Sequence, residues 1–107
     1  SGVMSQLPKE LTDAYVSAAA IEKSRMERDL AIEARFKRII RHAKVSIYTP
    51  YNPRSEQYDI FLLLNYLDCG ASVEIEPKLM GSDDYVEYVA ATACHRLANA
   101  LFLGTTK

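Results

Sequence analysis

The sequence predicts an α/β fold, with an α+β fold as the alternative, in a single domain that covers residues 3–107. Three observations support it: helical periodicity over residues 3–44, a strand–loop–helix–strand pattern over residues 45–77, and a second helical stripe within residues 78–107. A chain of 107 residues is long enough for one hydrophobic core. Ser1 and Gly2 are interpreted as an expression scar and take no part in the fold.

The N-terminal segment is predicted to be helical from Pro8 to Lys44, since no glycine or second proline interrupts it. Its apolar residues form two groups, and the polar residues 22–29 between them include only Met26 as an apolar member. A single continuous helix fits this pattern. A pair of helices divided at Ser24 also fits, because Ser24 and Glu27 have the spacing of a capping box. We expect the continuous helix, because the polar residues include no helix breaker.

The central segment is predicted to contain two strands. Residues 45–49 and 72–76 each alternate apolar and polar side chains, and each stretch ends at a proline, Pro50 or Pro77. Between them, a helix is predicted to begin at Ser55 and to end at Gly70 as its C-cap. A strand, a crossover helix and a second strand of these lengths predict a right-handed βαβ unit with parallel strands.

The C-terminal helix is predicted to begin with Ser82 or Asp83 as its N-cap and to end near Leu103, before Gly104. Five alanines make this helix slim, so that another helix or a sheet can approach it closely. They are Ala90, Ala91, Ala93, Ala98 and Ala100.

Self-association is predicted from the small size of the sheet. Two strands alone are marginally stable in water, and only one face of each predicted strand is fully apolar. Either helices cover one face and water the other, as in a monomeric α/β sandwich, or a second copy of the chain completes the sheet. We expect a homo-oligomer, at least a dimer, because the long N-terminal helix also carries apolar groups at both ends. Its predicted interface consists of Leu11, Tyr15, Ala18 and Ile21.

A small anionic ligand is predicted to bind at the loops that follow the two strands. Ligands gather at the carboxyl ends of parallel strands, and Arg54 and Ser55 would lie at a helix N-terminus that favours phosphate or carboxylate groups. The alternative is ordinary turn and capping chemistry. The predicted ligand-binding residues are Tyr48, Asn52, Arg54, Ser55, Lys78 and Ser82.

Charge is distributed unevenly along the chain, although the net charge is only −1. Residues 1–44 carry nine Lys and Arg against six Asp and Glu, and residues 45–107 carry four against eight. Nucleic-acid binding through the basic helix 35–44 is an alternative function, but we expect a solvated helix face there. The basic residues are Arg35, Lys37, Arg38, Arg41 and Lys44.

Together these patterns predict a small cytoplasmic, homo-oligomeric binding or regulatory protein that acts through protein–protein contacts or a small anionic ligand. The alternative from another class is an enzyme that acts on a nucleotide or another phosphorylated small molecule at the strand-end loops. We assign no catalytic residues, no metal site, no cofactor and no membrane partner, because no nucleophile–base pair or metal-ligand spacing is visible. Cys69 and Cys94 are expected to be reduced thiols.

Overall fold

The protein has an α+β fold, described by a computed structural model over residues 7–105. The predicted scar at Ser1 and Gly2 lies outside the described residues. Two long helices, α1 (Lys9–Ile39) and α2 (Asp83–Thr105), flank the strands in the chain, and a short 3-10 helix spans Pro77–Leu79. The strands are β1 (Lys44–Tyr48), β2 (Tyr51–Asn52), β3 (Gln57–Tyr58), β4 (Phe61–Tyr66) and β5 (Cys69–Glu74). The chain divides into two compact units, Ser1–Ala31 and Ile32–Lys107.

The described part of the first unit is the N-terminal portion of α1. This helix passes through Ser24 without a break, which confirms the prediction of a single continuous helix. None of the residues 7–31 is buried. The Arg25 guanidinium forms an ion pair with Glu22 one turn away. This ion pair joins two residues of one helix, and such pairs contribute only a few tenths of a kcal/mol to its stability.

The second unit is built on two consecutive antiparallel hairpins. β1 pairs with β4 and β2 pairs with β3 in one common register, in which Tyr48 faces Phe61 and Tyr51 faces Tyr58. Pro50, which has no N–H to donate, lies between the two paired segments, where its carbonyl oxygen accepts a hydrogen bond from the Asp59 amide at 2.9 Å. β4 then pairs antiparallel with β5, so the three-stranded sheet has the order β1-β4-β5.

The predicted βαβ unit is wrong, because the residues predicted as its crossover helix form β3, β4 and the start of β5. Residues 60–64 are an unbroken apolar run that fits either a helix or a strand by composition. Leu62 and Leu64 are buried while Phe61 and Leu63 are half-buried, which is the two-residue period of a strand. Gly70 lies within β5, and its φ is not positive, so the predicted C-cap is also wrong.

The core of the second unit lies between one face of the sheet and the two helices. α1 contributes Phe36 at its C-terminal end, α2 contributes Val89 and Ala93, and the sheet contributes Leu62 and Leu64. Each of these side chains is at most 1% exposed. Helices therefore cover one face of the sheet, as in one of the two arrangements predicted from the alternating strands. The opposite face carries a contact between the rings of Tyr48 and Phe61, whose centroids are 6.3 Å apart.

The helix ends differ in two places from the predicted ones. α1 ends at Ile39 and Lys44 already belongs to β1, so the helix stops before the predicted boundary. α2 continues through Gly104 to Thr105. Its N-terminus is as predicted, because the Ser82 hydroxyl oxygen accepts a hydrogen bond from the Tyr85 amide at 3.3 Å.

The turn between β4 and β5 is strained at Leu67. This residue has a φ of 53°, in the left-handed region that disfavours side chains with a Cβ, and its side chain is 80% exposed. We expect Leu67→Gly to stabilise the protein by about 1 kcal/mol, because glycine adopts this conformation without the steric cost. Chemical denaturation would measure the change. Asp68→Gly is the matched control in the same turn, and an equal gain in that variant would contradict the strain assignment.

Candidate functional site

The six predicted ligand-binding residues lie at one end of the sheet or in the connections that leave it. Tyr48, Phe61 and Glu74 are aligned across the three strands, so β1 and β5 both end at this side. The β2–β3 hairpin follows β1 from this end and carries Asn52, Arg54 and Ser55. The connection after β5 carries Lys78 and Ser82. The two loops leave the same end of the sheet, as predicted, although the sheet is antiparallel.

Local hydrogen bonds organise the β2–β3 hairpin as a turn. The Asn52 carbonyl oxygen Oδ1 accepts from the Arg54 amide at 2.9 Å, and its Nδ2 donates to Asp59 Oδ2 at 3.1 Å. The Ser55 hydroxyl donates to the Asn52 backbone oxygen at 3.4 Å. Arg54 and Ser55 therefore lie in a hairpin turn, and their predicted placement at a helix N-terminus is wrong. Ligand binding by the six residues stays a prediction.

The four predicted interface residues lie on α1 in the first unit, and all of them are exposed. Together with Ala14 they form what we call the N-terminal stripe, which consists of Leu11, Ala14, Tyr15, Ala18 and Ile21. Each of these residues has another member of the set three or four positions away, which places the side chains on one face of the helix. Ile21 forms the C-terminal end of the stripe and is 67% exposed.

A groove of about 650 Å³ lies in the second unit, and we call it the α2 groove. Its floor is one face of α2, where Ala90 and Leu97 are buried and Ala91, Cys94 and Ala98 are exposed. The residues that connect α1 to β1 and the end of β4 form its other walls. They are Ile39, Ile40, Arg41, His42, Ala43 and Tyr66.

A second cleft, of about 570 Å³, adjoins the α2 groove at Ile40, Arg41 and Ala43. Its lining includes four of the five residues of the predicted basic cluster: Lys37, Arg38, Arg41 and Lys44. The Lys37 ammonium is paired with Glu33 at 3.1 Å. Arg35, the fifth member, does not line the cleft. Its guanidinium donates hydrogen bonds to the Met80 carbonyl oxygen and to Asp83. The cleft therefore concentrates positive charge beside an apolar groove.

Sequence analysis identified the N-terminal stripe but not the α2 groove. The alanines of α2 predict a slim helix that a neighbouring element can approach closely, and this helix forms one side of the groove. The opposite side of the groove includes Tyr66 and Ile39. Both lie near α2 because β4 is a strand of the antiparallel sheet and because α1 ends early. A prediction that makes residues 60–66 helical cannot place Tyr66 there.

Comparisons with protein-family models, curated proteins and solved structures found no match to this chain. Within residues 7–105, no group of three or more His, Cys, Asp and Glu side chains is arranged to hold a metal ion. No helix in the same range is long and apolar enough to cross a bilayer. The N-terminal stripe and the α2 groove are both exposed apolar surfaces of the described residues, and the proposed function is argued from them.

Proposed function

We propose that the protein is a cytoplasmic binding protein that works as a homo-oligomer, at least a dimer, through the N-terminal stripe. The observation that carries the proposal is the exposure of this stripe, with Leu11, Tyr15 and Ile21 all more than half exposed on one helix face. An apolar stripe of this kind is normally covered by a protein partner, and a second copy is the simplest partner. The free thiols of Cys69 and Cys94 are consistent with a reducing compartment.

Protein–protein contact is favoured over small-anion binding by the chemistry of the exposed surfaces. The stripe and the groove are mainly apolar, like the buried centre of a protein–protein interface. The anion-binding alternative at the strand-end loops depends on Arg54 and Lys78, which are exposed side chains on two separate connections. A basic cleft beside the groove suits an acidic protein surface equally well.

A mass measurement on the whole chain tests the proposal. We expect native mass spectrometry and analytical ultracentrifugation at micromolar concentration to give at least twice the monomer mass of 12.0 kDa. Burial of the stripe residues supplies the driving force for this association. A single species of 12.0 kDa under these conditions would refute the proposal.

A further inference from the structure

We infer that the N-terminal stripe of one copy docks into the α2 groove of a second copy, and that the stripe of the second copy docks into the α2 groove of the first. The inference rests on the proposed self-association and specifies its interface. Helix-in-groove docking is a common mode of recognition, in which apolar residues spaced by three and four positions enter an apolar groove. Both parts of such a contact are present and exposed in this one chain.

The shapes of the two surfaces fit each other. The α2 face of the groove extends from Glu87 to Leu101, about 21 Å at 1.5 Å per residue, and its exposed floor consists of small side chains. The stripe extends from Leu11 to Ile21, about 15 Å, and therefore fits within that length. Large side chains such as Tyr15 on the stripe meet small ones such as Ala91 on the groove, which allows close packing of two helices.

The charges of the two surfaces are complementary. The helical segment that bears the stripe, residues 9–21, contains Glu10 and Asp13 but only one basic residue, Lys9. The groove lining includes Arg41 and Glu87, and Lys44 and Arg38 line the adjoining cleft, so basic side chains outnumber acidic ones on this side of the second unit. An acidic helix is therefore attracted to this side of the second unit, and the attraction guides the orientation of docking.

Docking into the groove covers more apolar surface than pairing two stripes with each other. A stripe–stripe dimer would leave the α2 groove, with its exposed Ile39 and Tyr66, open to water in both copies. Reciprocal docking covers both stripes and both grooves with two equivalent contacts around one two-fold axis. Since burial of apolar area is the main driving force of association, the reciprocal arrangement is favoured.

Disulfide cross-linking to the native thiol of Cys94 tests this arrangement in the whole chain. Cys94 is exposed on the groove floor, near the middle of the 87–101 face. We expect Ala14→Cys or Ala18→Cys on the stripe to give covalent dimers on mild oxidation, at least about tenfold faster than Ala20→Cys. Ala20 is an exposed alanine on nearly the opposite face of the same helix, so the control thiol differs from the stripe thiols mainly in the direction in which it faces.

Adding Cys94→Ser to the stripe variants identifies the partner thiol, and we expect the covalent dimers to disappear. Dimers that persist when both Cys94→Ser and Cys69→Ser are present would show stripe–stripe pairing and overturn the inference. A disulfide between the stripe and Cys94 within one chain, found by peptide mapping, would overturn it in favour of docking within one copy. Absence of cross-links in a protein of dimeric native mass would reject the groove while leaving the proposed function standing. A monomeric native mass would reject both.

Discussion

Replacing Ile21 with glutamate is expected to weaken self-association about 100-fold, measured as the dimer dissociation constant by analytical ultracentrifugation. Ile21 is 67% exposed in the single chain, so the substitution leaves the fold of the chain unchanged. In the oligomer its side chain lies against the small apolar side chains of the groove floor, Ala91, Cys94 and Ala98, where a carboxylate would lose water and find no cation on that floor. An uncompensated buried charge costs about 3 kcal/mol or more, which corresponds to the expected change in dissociation constant.

Val16→Glu is the matched control for this experiment. Val16 is 57% exposed on the same helix, but it lies nearly opposite the N-terminal stripe. The control adds the same charge to the same segment, so a purely electrostatic effect of net charge would appear equally in both variants. Equal weakening by the two substitutions would contradict the assignment of the interface to the stripe.

Replacing Phe36 with alanine is expected to reduce the free energy of unfolding by about 3–5 kcal/mol. Phe36 is 0% exposed and joins the C-terminal end of α1 to the core, so its loss leaves a cavity where a whole ring was packed. A small domain has about 5–15 kcal/mol of stability in total. The melting temperature, followed by circular dichroism, should therefore fall by about 12 °C or more.

Phe102→Ala removes the same atoms from a residue that is 68% exposed, near the end of α2. Because little of that ring leaves water on folding, we expect its effect on the unfolding free energy to stay below about 1 kcal/mol. Comparable losses in the two variants would show that Phe36 is not the residue that attaches α1 to the core of the second unit.

Both helices follow directly from local sequence signals. The absence of Gly and Pro from residues 9–49 predicts a long helix, and the Ser82 cap predicts the start of α2. These signals act over a few residues, so their effect does not depend on how the rest of the chain folds. The C-terminal end of α1 depends on more distant residues, because the helix stops at Ile39 and the pairing of Lys44 with Asn65 begins shortly after it.

The central region could not be predicted in the same way, because residues 60–64 carry no decisive period. Leucine favours helices in isolation, and only pairing with β1 on one side and β5 on the other makes β4 a strand. The sequence nonetheless predicts that the two strand-end loops leave the same end of the sheet, and both loops leave the end at which Tyr48 and Glu74 lie. Two strands on either side of a common antiparallel neighbour run in the same direction, as β1 and β5 do here.

The two hairpins are also expected to form early when the second unit folds. The loops that join paired strands are short, residues 53–56 between β2 and β3 and residues 67–68 between β4 and β5, so their closure costs little chain entropy. The contact between Arg35 and Asp83 joins residues 48 positions apart. Contacts so distant in sequence form late, and those formed after the folding transition state control the unfolding rate. We therefore expect substitutions in the two hairpins to change mainly the refolding rate, and substitutions at the contact between the two helix ends to change mainly the unfolding rate, both measured by stopped-flow denaturation.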